Sequence, residues 1–176
     1  MSAWRLFLAS WVVLSVTTAE AGELQFRERF SGSLVNTTID TNRDGFPGYL
    51  ATVAGTSSLG AISIQDATEL APSGTCPNGD LRLTLVAGHS VKRVASGELL
   101  LVQWASGAFC VNTISGLYTL HLAGNFSGGT GHFSSAIGPV EITVAGKFLT
   151  FDSTGFFGSA AGEGVGTIIT RSDDSP

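Results

Sequence analysis

Charge is scarce in this chain. Asp, Glu, Lys and Arg make up only 13 % of its 176 residues, and lysine occurs only at Lys92 and Lys147. Without abundant Glu, Lys and Arg there is little material for long amphipathic helices. The 9 basic residues form no cluster and the net charge is −5, which argues against a nucleic-acid partner. Cysteine is limited to Cys76 and Cys110, too few for a disulfide-dense scaffold or a four-thiolate zinc site. Beyond residue 16 no apolar run approaches the length of about 20 residues that a membrane helix needs. The three histidines, His89, His121 and His132, share no metal-ligand spacing, and no serine sits in Gly-x-Ser-x-Gly.

The beginning of the chain is its one concentrated apolar segment. Arg5 precedes the run Leu6–Val16, and Ala19-Glu20-Ala21 offers small residues at a cleavage site. This pattern predicts a secretory signal over residues 1–21, cut after Ala21, and a secreted or periplasmic mature protein. In such a compartment Cys76 and Cys110 are expected to be bridged. Residues 22–170 then read as one domain, followed by a polar frayed tail at 171–176.

Period-two alternation dominates that domain. It runs through Leu24, Phe26 and Glu28, through Ala61-Ile62-Ser63-Ile64-Gln65, through residues 81–85 and 117–124, and through Val140-Glu141-Ile142-Thr143-Val144. Turn signals such as Phe46-Pro47-Gly48, Cys76-Pro77-Asn78-Gly79 and Ser115-Gly116 separate the runs. Two runs, 98–104 and 108–111, are apolar on both faces and predict strands covered on both sides. An all-β sandwich or barrel follows. The stretch 156–166 is so rich in Gly and Ala that a strand there would lie at a seam or beneath a close neighbour.

The densest glycine motif is Gly128-Gly129-Thr130-Gly131-His132-Phe133-Ser134-Ser135-Ala136-Ile137-Gly138. It resembles the GGTG-x-F-x-x-A-x-G motif of dirigent proteins and the related motif of allene oxide cyclases. Gly164-Val165-Gly166-Thr167-Ile168-Ile169 is similar to the closing strand of such domains. The resemblance implies an antiparallel eight-stranded β-barrel, commonly assembled as trimers, with the glycines relieving crowding where strands bend. The β-sandwich is the alternative architecture. No catalytic residue of that family aligns here, so none is carried over.

Candidate chemistry is thin. Asp40-Thr41-Asn42-Arg43-Asp44-Gly45 reads as the first half of a calcium loop, with Asp40, Asn42 and Asp44 as ligands, but Ala51 stands where the closing Glu belongs. Calcium is the only cofactor with any motif behind it, and a plain polar turn is the competing reading. His121 shares a face with Thr119 and Ala123 and, with Trp104, is a candidate for a ligand pocket if that face lines a lumen. Glu98, Glu141 and Asp152 are candidate acid–base carboxylates that no motif singles out. The expected function is an exported, non-catalytic barrel that binds a small apolar molecule or a protein partner. The alternatives are a dirigent- or cyclase-like protein acting on a hydrophobic or phenolic compound, and a self-associating surface component.

Overall fold

The computed structural model describes residues 22–37, 40, 43, 45, 48–152 and 155–171, with backbone alone at 151–152. The expected signal segment, Asn42 and Asp44 of the half-loop, and the tail beyond Arg171 lie outside these residues. Asp40 is described, and its Oδ2 accepts the Gly45 N–H at 2.9 Å.

Alternating apolar residues give strands because successive side chains point to opposite faces. Eight form: β1 (Gly22–Asn36), β2 (Tyr49–Ser57), β3 (Gly60–Thr75), β4 (Leu81–Arg93), β5 (Leu99–Val111), β6 (Leu117–Gly129), β7 (Ile137–Asp152) and β8 (Gly155–Thr170). Each pairs antiparallel with the next, and β8 returns to β1, so the sheet closes into a barrel. A closed ring removes the β-sandwich alternative. Closure also removes the free edges that a lysine-poor sheet would leave open to another chain. Among the described residues no helix is long and apolar enough to cross a membrane.

The phase of each strand decides what fills the interior. Phe26, Phe30 and Leu34 of β1, Ile62 and Ile64 of β3, Tyr118, Leu120 and Leu122 of β6, and Val140, Ile142 and Val144 of β7 are buried, while Gln25, Arg27 and Arg29 are exposed. The two-sided runs are less symmetric than expected. Leu100, Val102 and Trp104 are buried, whereas Leu99 and Leu101 on the outer face are only half-buried.

Between Phe156 and Ile168 strand β8 supplies almost no bulk to the interior. Gly158, Gly162, Gly164 and Gly166 lie opposite Leu34, Phe30, Glu28 and Phe26 of β1, and opposite Phe148, Val144, Ile142 and Val140 of β7. Large side chains from both neighbours lean over it. A Cβ at Gly164 would stand 2.7 Å from Glu28 Oε1 and 2.9 Å from Ile142 Cγ2. This is the close neighbour that the glycine and alanine content of 156–166 predicts.

Strand polarity assigns the connections to two ends. One end carries the β2–β3, β4–β5 and β6–β7 links, and the glycine motif is the last of these. At its start Gly128, with φ +100, sits where the β5–β6 register shifts. The motif then makes a 3-10 turn, Gly131–Phe133, that seats Phe133 and Ala136 in the core as a plug. The turn is clasped to the β4–β5 link: Leu99 N–H donates to Thr130 Oγ1 at 2.8 Å, and Glu98 Oε1 accepts from His132 N–H at 2.8 Å. Gly131 adopts φ +56 with no room for a Cβ against Glu98. The other end carries the Cys76–Cys110 disulfide, with Cα atoms 6.1 Å apart, which ties the β3–β4 link to β5.

Candidate functional site

The interior is not uniformly apolar. Strands β2 to β4 carry a run of inward polar residues on neighbouring rungs, Tyr49 opposite Thr68 and Asp66 opposite Ser90, with Lys92 two residues beyond Ser90. All five are buried. They keep to the inward phase because the alternation that buries Ile62 and Ile64 continues unbroken through Asp66 and Thr68. On β4 the same phase takes Ser90, Lys92 and Val94 inward.

Lys92 Nζ donates to Glu28 Oε1 at 2.7 Å, and the two side chains are 1 % and 0 % exposed. Glu28 belongs to β1 and Lys92 to β4, which are not neighbours in the ring, so the pair braces the interior. Lys92 Nζ also lies 6.0 Å from the Phe26 ring centroid and 5.9 Å from that of Trp104, within range of cation–π attraction.

Asp66 is held from two sides. Trp104 Nε1–H donates to Oδ2 at 2.7 Å, and Thr68 Oγ1 donates to Oδ1. Burial pushes the Asp66 carboxyl above its usual range; its hydrogen bonds and the nearby Lys92 ammonium pull the other way without cancelling that effect. Burial, reinforced by the Asp66 charge, likewise raises the Tyr49 phenol well above its ordinary value, so it is a neutral donor.

Beside this patch lies a small lumen cavity of about 30 Å³, room for one or two waters. Tyr49, Asp66, Ser90 and Lys92 reach it from the polar side, and Phe30, Leu34, Phe109, Tyr118, Leu122 and Ile142 are among its apolar walls. Phe26, Leu100, Phe126 and Ile168 fill the interior toward the plugged end and do not line it. Toward the disulfide end Tyr49, Phe109, Tyr118, Phe148 and Phe156 form a collar of ring contacts 4.9 to 6.4 Å between centroids.

Among the described residues three buried polar atoms make no well-formed hydrogen bond, Tyr49 Oη, Ser90 Oγ and Glu28 Oε2, although Tyr49 stands near Thr68 and Ser90 near Asp66. Two of them, on Tyr49 and Ser90, belong to the cavity wall. Leaving such a group unpaired costs about 1–3 kcal/mol, so a guest that pairs with it gains correspondingly.

The residues expected from sequence distribute differently. Trp104 is buried at the polar patch. His121 faces outward, 55 % exposed and 3.8 Å from Glu141, because the inward phase of β6 is Tyr118, Leu120 and Leu122; a lumen role for His121 is corrected. Glu98 and Glu141 do not converge, since one clasps the plug and the other lies on the outer wall, and the Asp152 side chain is outside the described set. The His132 contacts and the Ser96 hydroxyl hold the Glu98 carboxyl down to about 2. Among the described residues no group of three or more His, Cys, Asp or Glu is placed to hold a metal.

No family model matches the chain, and no curated protein matches it. Among solved structures it is similar to a pterocarpan synthase dirigent protein, with 14 % sequence identity, a TM-score of 0.46, and coverage of 93 % of this chain and 99 % of that one. The likeness is one of backbone shape, and no residue role is carried across it.

Proposed function

We propose that this protein is an exported barrel that takes up a small, rigid, mostly apolar molecule bearing one hydroxyl group. The observation that carries the reading is the pair of hydroxyls without a well-formed hydrogen bond, Tyr49 Oη and Ser90 Oγ, beside Asp66 and Lys92 on one wall of a cavity whose other walls are apolar. A pocket of this kind gains affinity from apolar contact and orientation from a few polar groups. The guest's ring would displace water and push back the apolar wall of Phe30, Leu34 and Ile142, and its hydroxyl would meet the polar patch. Calorimetric titration with 2-naphthol tests this. Saturable binding is expected, weakened about tenfold in Tyr49→Phe/Ser90→Ala, in line with the loss of a buried hydrogen bond. Absence of binding, or binding indifferent to both substitutions, overturns the reading.

A second reading is catalytic, a dirigent- or cyclase-like action on a hydrophobic or phenolic compound. One observation favours it: a carboxyl whose affinity for protons is raised inside an apolar chamber is suited to general acid–base work. Chemical change of a bound phenol that is lost in Asp66→Asn, with binding retained, separates this reading from binding alone.

A further inference from the structure

The wall of the barrel has a lapse. Residues 81–84 of β4 pair with 108–111 of β5, and 89–93 pair with 99–103 in the same register, yet no rungs join 85–88 to 104–107. Both flanking ladders are irregular at this height. The β3–β4 register shifts between Glu69 and Leu70, passing over Val86, and the β5–β6 register shifts between Trp104 and Ser106, passing over Ala105. A bulge bends its strand and increases its twist. Bulges on the outer flanks of β4 and β5 therefore draw the two strands apart between them.

One side chain bridges the lapse from within. The Trp104 indole starts on β5 and reaches Asp66 on β3, where its Nε1–H is held at 2.7 Å. On the way it lies against Gly88 of β4: a Cβ there would stand 3.0 Å from Trp104 Cδ1. Glycine at position 88 thus leaves the space that the ring occupies. The collar at the disulfide end is a poorer route. Its five rings touch one another in series, so moving one disturbs the rest, and Cys76–Cys110 ties the rim beside it.

We propose that the lumen is reached sideways, through the seam between β4 and β5, and that Trp104 is the door, latched to Asp66. This rests on the lumen-binding reading above. Opening needs only rotation of one indole away from one carboxylate, after which the unlaced strands part without breaking any ladder bond. The Asp66 carboxyl holds the door by Oδ2, and the guest's hydroxyl would be met by Tyr49 and Ser90 on the other side of the patch, so the latch and the guest need not share an atom.

Two measurements on the protein test this. Hydrogen exchange read by mass spectrometry is expected to show amides of 85–88 and 104–107 exchanging at least tenfold faster than those of 89–93 and 99–103. Stopped-flow mixing with 2-naphthol is expected to give an association rate at least tenfold higher in Trp104→Phe, which keeps an apolar ring but loses the latch, with the dissociation constant changed less than threefold. Protected seam amides together with an unchanged rate overturn the portal and leave the lumen reading standing. A rate that rises on reduction of Cys76–Cys110 but not in Trp104→Phe places the way in at the disulfide end and also overturns it. Failure of 2-naphthol to bind the wild-type protein overturns the lumen reading and the portal with it.

Discussion

Glu28 and Lys92 meet across the barrel interior at 2.7 Å with neither side chain open to solvent. Lys92 is one of only two lysines in the whole sequence, so half of that residue type is spent inside. A buried pair gains little over apolar residues of the same size, but one partner left alone is a stranded charge. Lys92→Met is expected to destabilise by about 3–5 kcal/mol, and Lys92→Met/Glu28→Leu to recover most of the loss. Urea denaturation of the two single variants and the double variant checks this. Equal losses in all three would contradict it.

Asp66 makes stability depend on pH in a definite sense. Its carboxyl binds a proton more tightly folded than unfolded, so its contribution is fully present in acid below the ordinary carboxylate range. That contribution is lost as the pH rises through the raised folded value. Thermal unfolding followed upward from about pH 4 should show a fall that Asp66→Asn flattens. A wild-type profile that rises over the same interval would be the opposite sign.

Gly164→Ala places a methyl group against Glu28 and Ile142. Both are held by the core, so the neighbours cannot yield without moving the brace to Lys92. A loss of about 1–3 kcal/mol is expected from overpacking, checked by the midpoint of urea unfolding. The same change at Gly97, where nothing lies within 4 Å but φ is +90, is a control in which strain acts without crowding.

Cys76 and Cys110 close a loop with a sequence separation of 34. Cys76→Ser/Cys110→Ser is expected to lower stability by about 3–4 kcal/mol through the freed unfolded chain. Dithiothreitol should produce the same shift in the wild-type protein and none in the double variant.

The barrel was legible in sequence because one rule, alternation, operates along nearly every strand. The chamber's chemistry was less so, for a related reason. Lys92 and Asp66 are charged, and charge normally marks the outward phase; only their position two residues from Ile64, Ser90 or Val94 shows that they point in. Glu28 carried the same signal between Phe26 and Phe30. His121 misled because its neighbours Thr119 and Ala123 suit either face, whereas Tyr118, Leu120 and Leu122 suit only the interior. The glycine motif was visible as a motif, but its work as a plug depends on Glu98 and Leu99, more than thirty residues away. The lapse between β4 and β5 has no local signature, since it arises from bulges in two other ladders.

The scarcity of inward side chains along the middle of β8 has a consequence for how this molecule can change. Bulk on that side is lent by Phe30 and Glu28 from one flank and by Ile142 and Val144 from the other, so the shape of the hollow is negotiable between adjoining strands. Trading mass across a single rung, as in Phe148→Leu with Gly158→Ala, where an added Cβ meets nothing closer than 3.0 Å, would shift vacant space from one wall to the next while the framework keeps its register. A lineage of such barrels could suit itself to differently shaped guests by paired exchanges of this sort, with no loop rebuilt.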